Sequence, residues 1–184
     1  MRVIGGQYRS RKLIAPAGAT TRPSSDRLRE TLFNVVSARV VESVWLDLFA
    51  GSGAVGIEAL SRGARMVYFV ESGARAAKAI RANLNTLAIT EGFEIQEREV
   101  ARALRALDAT AVACDFSFID PPYADHSAYE QTLGFLSQSR LLKPTSTVIA
   151  EHDKHSDLSE RYGALQRSRR LQQGDAVLSF FTLT

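Results

Sequence analysis

The chain has 184 residues, 45% hydrophobic and 23% charged, which suits one compact domain with enough apolar material for a packed core. A single cysteine, Cys114, excludes a disulfide framework or a cysteine-built zinc site within the chain. No apolar run approaches the roughly 20 residues of a membrane span, and the net charge of +3 is modest.

The charge is unevenly spread. Arg2, Arg9, Arg11, Lys12, Arg22, Arg27 and Arg29 crowd the first thirty positions against Asp26 and Glu30. Such a cluster suits phosphate contacts, and equally a solvated basic face. The stretch Met1–Arg9 reaches charge too soon for a signal-peptide apolar segment, so a cytoplasmic, monomeric enzyme or binding domain is expected.

Residues 1–23 are punctuated by Gly5-Gly6, Pro16, Gly18 and Pro23, which predicts a small hairpin or extended arm. Ser24 or Ser25 can cap a helix running to about Arg39, with Leu28, Leu32, Phe33, Val35 and Val36 mostly on one face. From Ser43 strands and helices alternate. Val44–Leu48 reads as a buried strand, followed by a glycine-rich turn and a helix to about Ser61. Met66–Val70 is a second strand before an alanine-rich helix to about Leu87, and Phe93–Ile95 is a weak third. A helix through Leu104 and Leu107 leads to a fourth strand, Phe116–Ile119, which ends at Asp120-Pro121-Pro122. A helix around Tyr129–Leu136 precedes a strand at Thr147–Ala150, and Ala164–Leu171 and Ala176–Leu183 flank Gln172–Asp175 as a hairpin. The expected fold is α/β: a doubly wound, mostly parallel seven-stranded sheet with a C-terminal antiparallel hairpin. Residues 1–40 are read as a basic arm and helix extending a domain at 41–184.

Asp47-Leu48-Phe49-Ala50-Gly51-Ser52-Gly53-Ala54-Val55-Gly56 lies between a predicted strand and helix. Glycines there let the backbone turn tightly and approach a ligand closely. Gly51, Gly53 and Gly56 also satisfy the dinucleotide spacing, and Glu71 ends the next strand, where a carboxylate can accept hydrogen bonds from ribose hydroxyls. Asp47 decides between ligands, because an acid beside the turn repels a pyrophosphate but favours the ammonium and sulfonium of S-adenosylmethionine. Bulky Phe49 likewise suits a hydrophobic wall better than a phosphate cradle. S-adenosylmethionine is therefore preferred over NAD.

Asp120-Pro121-Pro122-Tyr123 follows the fourth strand directly. Two prolines cannot continue a central ladder and they hold the preceding backbone extended. The Asp120 carboxylate and the Pro121 carbonyl are thus presented together at the carboxyl end of the sheet, where ligands of doubly wound folds bind. Two such acceptors can hold both hydrogens of an exocyclic base amine and aim its lone pair at a sulfonium methyl, by positioning and electrostatics. Tyr123 offers a face on which the base can stack.

With these motifs the chain resembles class I methyltransferases of the amino-methylating type, and more closely the bacterial 16S ribosomal RNA guanine-N2 methyltransferase family known as RsmD. The resemblance spans Arg2–Gly6 with Arg9, Arg11, Lys12 and Leu13, then Arg22–Asn34, Asp47–Gly56, Glu58–Ala64, Val70-Glu71 and Asp120–Tyr123. It implies S-adenosylmethionine as cofactor, held by Asp47, Phe49, Ala50, Gly51, Gly53, Glu71 and Ser72, with Glu99 and Val100 near the adenine. It implies catalysis at Asp120, Pro121, Pro122 and Tyr123, on a guanine of 16S ribosomal RNA or of the assembling small subunit. Arg9, Arg11, Lys12, Arg22, Arg27 and Arg29 would contact that RNA. Ser10 departs from the glycine the family often carries. Residue chemistry alone leaves open an adenine-N6 methyltransferase acting on DNA or RNA, and an RNA-binding assembly factor without turnover. His126 reads as a loop residue, Arg167–Arg170 as a solvated edge in preference to a further RNA contact, and no spacing suggests a metal.

Overall fold

A computed structural model describes residues 1–16, 26–110, 112–122, 125–156 and 158–184. The expected cap at Ser24 or Ser25 lies outside these residues, as do Arg22 and Tyr123.

Helix α1 (Asp26–Val36) continues into a 3-10 turn at Ser37–Arg39. Its buried residues Leu28, Leu32, Phe33 and Val36 recur at helical spacing and cover one face of the sheet. Strands β1 (Val44–Leu48), β2 (Met66–Val70), β3 (Phe93–Gln96), β4 (Cys114–Ile119) and β5 (Leu142–Asp153) run parallel. Helices α2 (Ala54–Ser61), α3 (Ala74–Thr86), α4 (Val100–Ala109) and α5 (His126–Leu136) connect them. Strands β6 (Arg161–Tyr162), β7 (Leu165–Gln173) and β8 (Ala176–Leu183) add an antiparallel section, giving the order β3-β2-β1-β4-β5-β8-β7-β6.

The parallel strands are apolar on both faces, as a sheet covered on both sides requires. Trp45, Phe69, Phe116 and Phe118 pack under α1, α2 and α3, whereas Leu46, Leu48, Val70 and Ile119 pack under α4 and α5. Trp45 stacks between Phe33 and Phe116, with ring centroids at 5.3 and 4.5 Å.

The doubly wound architecture agrees with the sequence reading, with two differences. The eighth strand is the two-residue β6, which pairs with Leu165 and Gln166. Strand β5 extends beyond Thr147–Ala150 on both sides: its first part includes solvent-facing Pro144 and Thr145 and is offset from β4 by a register shift, and its last part, Glu151–Asp153, pairs with β8.

The basic arm is a hairpin. The Val3 N–H donates to the Arg11 carbonyl and the Ser10 N–H to that of Val3, both at 2.9 Å, with an antiparallel bridge between Arg2 and Lys12. Ser10 turns the chain at φ +69°, the left-handed region glycine tolerates best, so serine bears that conformation here. Val3 and Leu13 are buried in the same core cluster as Leu28, Leu32 and Phe33.

Candidate active site

Strand register places the predicted acids along one edge. Gln96, Val70, Leu48, Ile119 and Ala150 stand in a row across β3, β2, β1, β4 and β5. One residue further on come Glu97, Glu71, Phe49 and Asp120, just past the carboxyl ends of their strands, and Glu151, still within β5. Chain connections leave in opposite directions from β1 and β4, so this edge includes the switch-point crevice of a doubly wound sheet.

The glycine turn leaves β1 through three left-handed residues, Phe49 (φ +60°), Gly51 (φ +56°) and Gly53 (φ +76°). Phe49 adopts this conformation without glycine's freedom, a strain that surrounding hydrogen bonds must hold in place. The Ala50 N–H donates to the Val70 carbonyl at 3.0 Å. Glu71 accepts from the Gly51 N–H at 2.8 Å through one oxygen and from the Gly73 N–H at 2.7 Å through the other. Among the described residues a Cβ at Gly51 would meet only the Phe49 carbonyl oxygen, at 4.0 Å, so a ligand can approach the backbone there. At Gly56 a Cβ would lie 2.3 Å from the Phe69 ring, so this glycine serves close packing of α2 on β2.

Asp47 is 2% exposed and accepts from the Gly56 N–H at 2.9 Å. It shapes the turn from beneath. Burial pushes its carboxyl up to about 7; the Gly56 hydrogen bond opposes this and the Glu71 charge adds to it. Ser72 is exposed beside Glu71. Glu99 is exposed immediately before α4, and Val100 is that helix's buried first residue. Because β3 runs one residue past Ile95, Glu97 is the acid in register with Glu71, and it pairs with Arg81 of α3 at 2.8 Å.

Asp120 is half-buried, with its N–H directed at the Leu48 carbonyl at 3.4 Å. Pro121 is buried and Pro122 exposed, and the Pro122 carbonyl accepts from the Asp125 N–H at 2.8 Å. Asp125 caps α5 by accepting from the Ala128 N–H, and His126 is exposed at the helix start.

The arm is docked by residues that sequence reasoning did not single out as functional. Glu58 of α2 is fully buried and accepts from the N–H groups of Ile4 (2.7 Å) and Gly5 (2.8 Å) and from Arg62 Nε (2.7 Å). Ser61 accepts from the Tyr8 N–H and donates to the Gly5 carbonyl, while its own carbonyl accepts from Gln7. Buried Asn83 of α3 joins arm to turn. Its Oδ1 accepts from the Ile14 N–H at 2.7 Å, and its Nδ2 donates to the carbonyls of Ile14 and Ser52, both at 3.0 Å. The sequence hint for Glu58 was an acid inside an otherwise apolar helix; Asn83 gave none.

The basic residues divide. Arg9 and Arg27 join Arg2 around a groove of about 460 Å³, which Ser10, Asp26 and Glu30 also line. Arg11 and Lys12 are exposed elsewhere on the hairpin, with Arg11 donating to the Thr86 carbonyl at 3.3 Å. Arg29 does not share that surface. It is 1% exposed and donates to the Arg2 carbonyl and to Asp26, which ties α1 to the arm. Its position explains this, since Arg29 precedes Phe33 by four residues and Val36 by seven, on the buried stripe. Among the described residues no group of three or more histidines, cysteines or acids is placed to hold a metal ion.

Residues 1–182 match the family model described as Conserved hypothetical protein 95. The chain is 36% identical over 174 residues to the Bacillus subtilis protein named "Putative rRNA methyltransferase YlbH", covering 95% of this chain and 94% of that one. It is 34% identical over 158 residues to ribosomal RNA small subunit methyltransferase D of Escherichia coli K12, covering 86% and 77%. The solved structure named "Putative methyltransferase yhhF from Escherichia coli" superimposes with a TM-score of 0.85 at 30% identity, covering 100% of this chain and 97% of that one.

Proposed function

The chain belongs to the RsmD-type ribosomal RNA methyltransferase family, and on that premise we propose that it transfers a methyl group from S-adenosylmethionine to the exocyclic N2 amine of a guanine in 16S ribosomal RNA. The observation behind this reading is the carboxyl-edge row, in which Asp120 follows β4 beside the turn that Glu71 holds through Gly51.

S-adenosylmethionine fits the residues present: the backbone at Gly51 is open, and half-buried Phe49 and Ala50 flank it. Each Glu71 oxygen accepts one backbone hydrogen bond and has a lone pair left for a ribose hydroxyl. Asp47 and Gly53 maintain the turn, and Ser72, Glu99 and Val100 would hold the adenine end. When bound, this cofactor supplies a methyl group on a sulfonium. Asp120 and the Pro121 carbonyl accept the two amine hydrogens and orient the nitrogen lone pair. Pro122 stiffens that loop and Tyr123 stacks on the base. A transferred methyl leaves a cationic amine that releases its proton readily, so Asp120 need not act as a strong base.

Residues 1–40 serve as a substrate-binding extension of the domain at 41–184. Arg9 and Arg27, with Arg2, meet RNA phosphates in their groove, and Arg11, Lys12 and Arg22 add further contacts. A base in a loop reaches the site more easily than one in a duplex, because less stacking is lost on extrusion. The enzyme acts in the cytoplasm as a monomer, on 16S RNA or the assembling small subunit.

The test is transfer of labelled methyl to small-subunit RNA and particles from cells lacking the enzyme, followed by nucleoside analysis. N2-methylguanosine that disappears with Asp120→Ala is expected. Label on adenosine would refute the N2 assignment, and cofactor binding without transfer to any RNA would refute the substrate.

A further inference from the structure

A second groove lies at the other end of α1. Val35, Val36 and Phe180 form its apolar floor, and Arg39 and Arg169 bring two guanidinium groups to it, in a volume of about 170 Å³. Hydroxyl groups of Thr147, Ser168 and Thr182 complete the lining.

Three features distinguish this groove from an ordinary solvated edge. The first is a β-bulge. Successive residues of a regular strand face opposite sides, yet Ser168 and Arg169 both line the groove. The register shift between Arg167 and Arg169 permits this, and the Ser168 hydroxyl is fixed by donating to the Phe180 carbonyl at 3.3 Å. Bulges commonly re-aim side chains in this way. Arg170 pairs with Ser179, whose hydroxyl contacts His152 on the opposite face.

The second feature is preorganisation. Arg39 lies 4.9 Å over the Phe116 ring and donates to Thr147 Oγ1 at 3.0 Å and to the Thr145 carbonyl. Its charge is thus held in place before any ligand arrives, which lowers the ordering cost of binding. Among the described residues, neither Arg39 nor Arg169 has a carboxylate within ion-pair distance.

The third is placement. The groove of Arg2, Arg9 and Arg27 borders the first turn of α1, and this one borders its last turn. From Arg27 at one groove to Val36 at the other the helix rises nine residues, roughly 13 Å. Apolar floor, fixed cation and hydroxyl groups match a ribose–phosphate unit, whose sugar packs, whose phosphate needs guanidinium, and whose 2′-hydroxyl bonds to hydroxyls.

We propose that the groove between the end of α1 and the bulged strand β7 is a second RNA-backbone site. Arg39 and Arg169 take a phosphate there, so that α1 is straddled by one substrate. This rests on the RNA-methyltransferase reading above.

The test is equilibrium binding of in vitro transcribed 16S RNA across a salt series, with methyl-transfer kinetics, for wild type, Arg169→Ala and Arg170→Ala. Both substituted side chains are exposed, so folding should persist. Arg169→Ala should lower the slope of log affinity against log salt by about 0.7–0.9, the loss of one phosphate contact. It should raise KM for RNA and leave kcat and cofactor affinity unchanged, while Arg170→Ala keeps the wild-type slope. An unchanged slope for Arg169→Ala overturns the proposal, as does an equal loss for both variants, which would mean diffuse edge charge. Weaker binding to small-subunit particles but not to naked RNA would assign the groove to a protein partner and overturn it too. Failure of the wild type to bind RNA would instead overturn the parent reading, and this site with it.

Discussion

Replacing Gly6 with alanine tests whether the arm is held as described. Gly6 has φ +75°, and a Cβ there would lie 1.8 Å from the Ser61 carbonyl oxygen at the end of α2. That oxygen cannot simply move aside, because it belongs to helix backbone and accepts from the Gln7 N–H at 2.7 Å. To reach ordinary van der Waals contact at 3.4 Å, the hairpin must retreat by about 1.6 Å. Such a retreat breaks the Gln7 bond and the Tyr8 bond to the Ser61 hydroxyl, each worth about 1 kcal/mol. The left-handed alanine adds about 1 kcal/mol. A loss of about 3 kcal/mol should lower Tm by roughly 6–12 °C in a chain of this size. Thermal unfolding and amide exchange at Ile4, Gly5, Gln7 and Tyr8 measure it, and RNA affinity should fall as well. A Tm within about 2 °C of wild type, with those amides still protected, would refute the docking argument.

Other substitutions separate the remaining contributions. Gly134 lies in α5, and a Cβ added there would meet no atom within 4 Å, so Gly134→Ala should stabilise by about 0.5–1 kcal/mol; a loss in thermal unfolding would contradict this. Between pH about 4 and 7 the native Asp47 holds a proton that the unfolded chain releases, so stability falls as pH rises through that window. Asp47→Asn retains an acceptor for the Gly56 N–H without titrating. Its stability advantage over wild type should grow from pH 4 to 7 and then level off, to on the order of 4 kcal/mol; parallel Tm–pH curves would exclude the burial argument. Asn83→Ala leaves Ile14 and Ser52 without their side-chain partners and should cost about 2–3 kcal/mol. It should also weaken S-adenosylmethionine binding through the turn, and calorimetry showing unchanged affinity would disconnect arm from cofactor.

The parallel strands are legible because burial on both faces demands uninterrupted apolar runs. Val44–Leu48 and Met66–Val70 therefore appear with the bounds found in the structure. Strand β5 reads short in the sequence, since solvent-facing Pro144 and Thr145 look like loop, and β6 is too brief to show any periodicity. The row of Glu71 and Asp120 follows from strand ends, whereas Glu97 is obscured by a one-residue uncertainty in β3. Arg29 illustrates how charge alone misleads: its place on the apolar stripe outweighs its place in a run of cations. The arm residues that Glu58 and Asn83 hold, Ile4, Gly5 and Ile14, are 53 to 69 residues distant in sequence, a separation that no local pattern encodes.

That separation also sets an order of events during synthesis. The hairpin of residues 1–13 is translated before either of its anchors, yet Glu58 follows Ile4 by 54 residues and Asn83 follows Ile14 by 69. At about 5–20 residues per second, the basic segment waits roughly 3–14 s after leaving the peptidyl-transferase centre before its docking platform even exists. The arm therefore takes its docked shape only once α2 and most of α3 have been made, although more than half of the chain is still to come. A nascent chain that has not yet reached Asn83 thus lacks the docked arm.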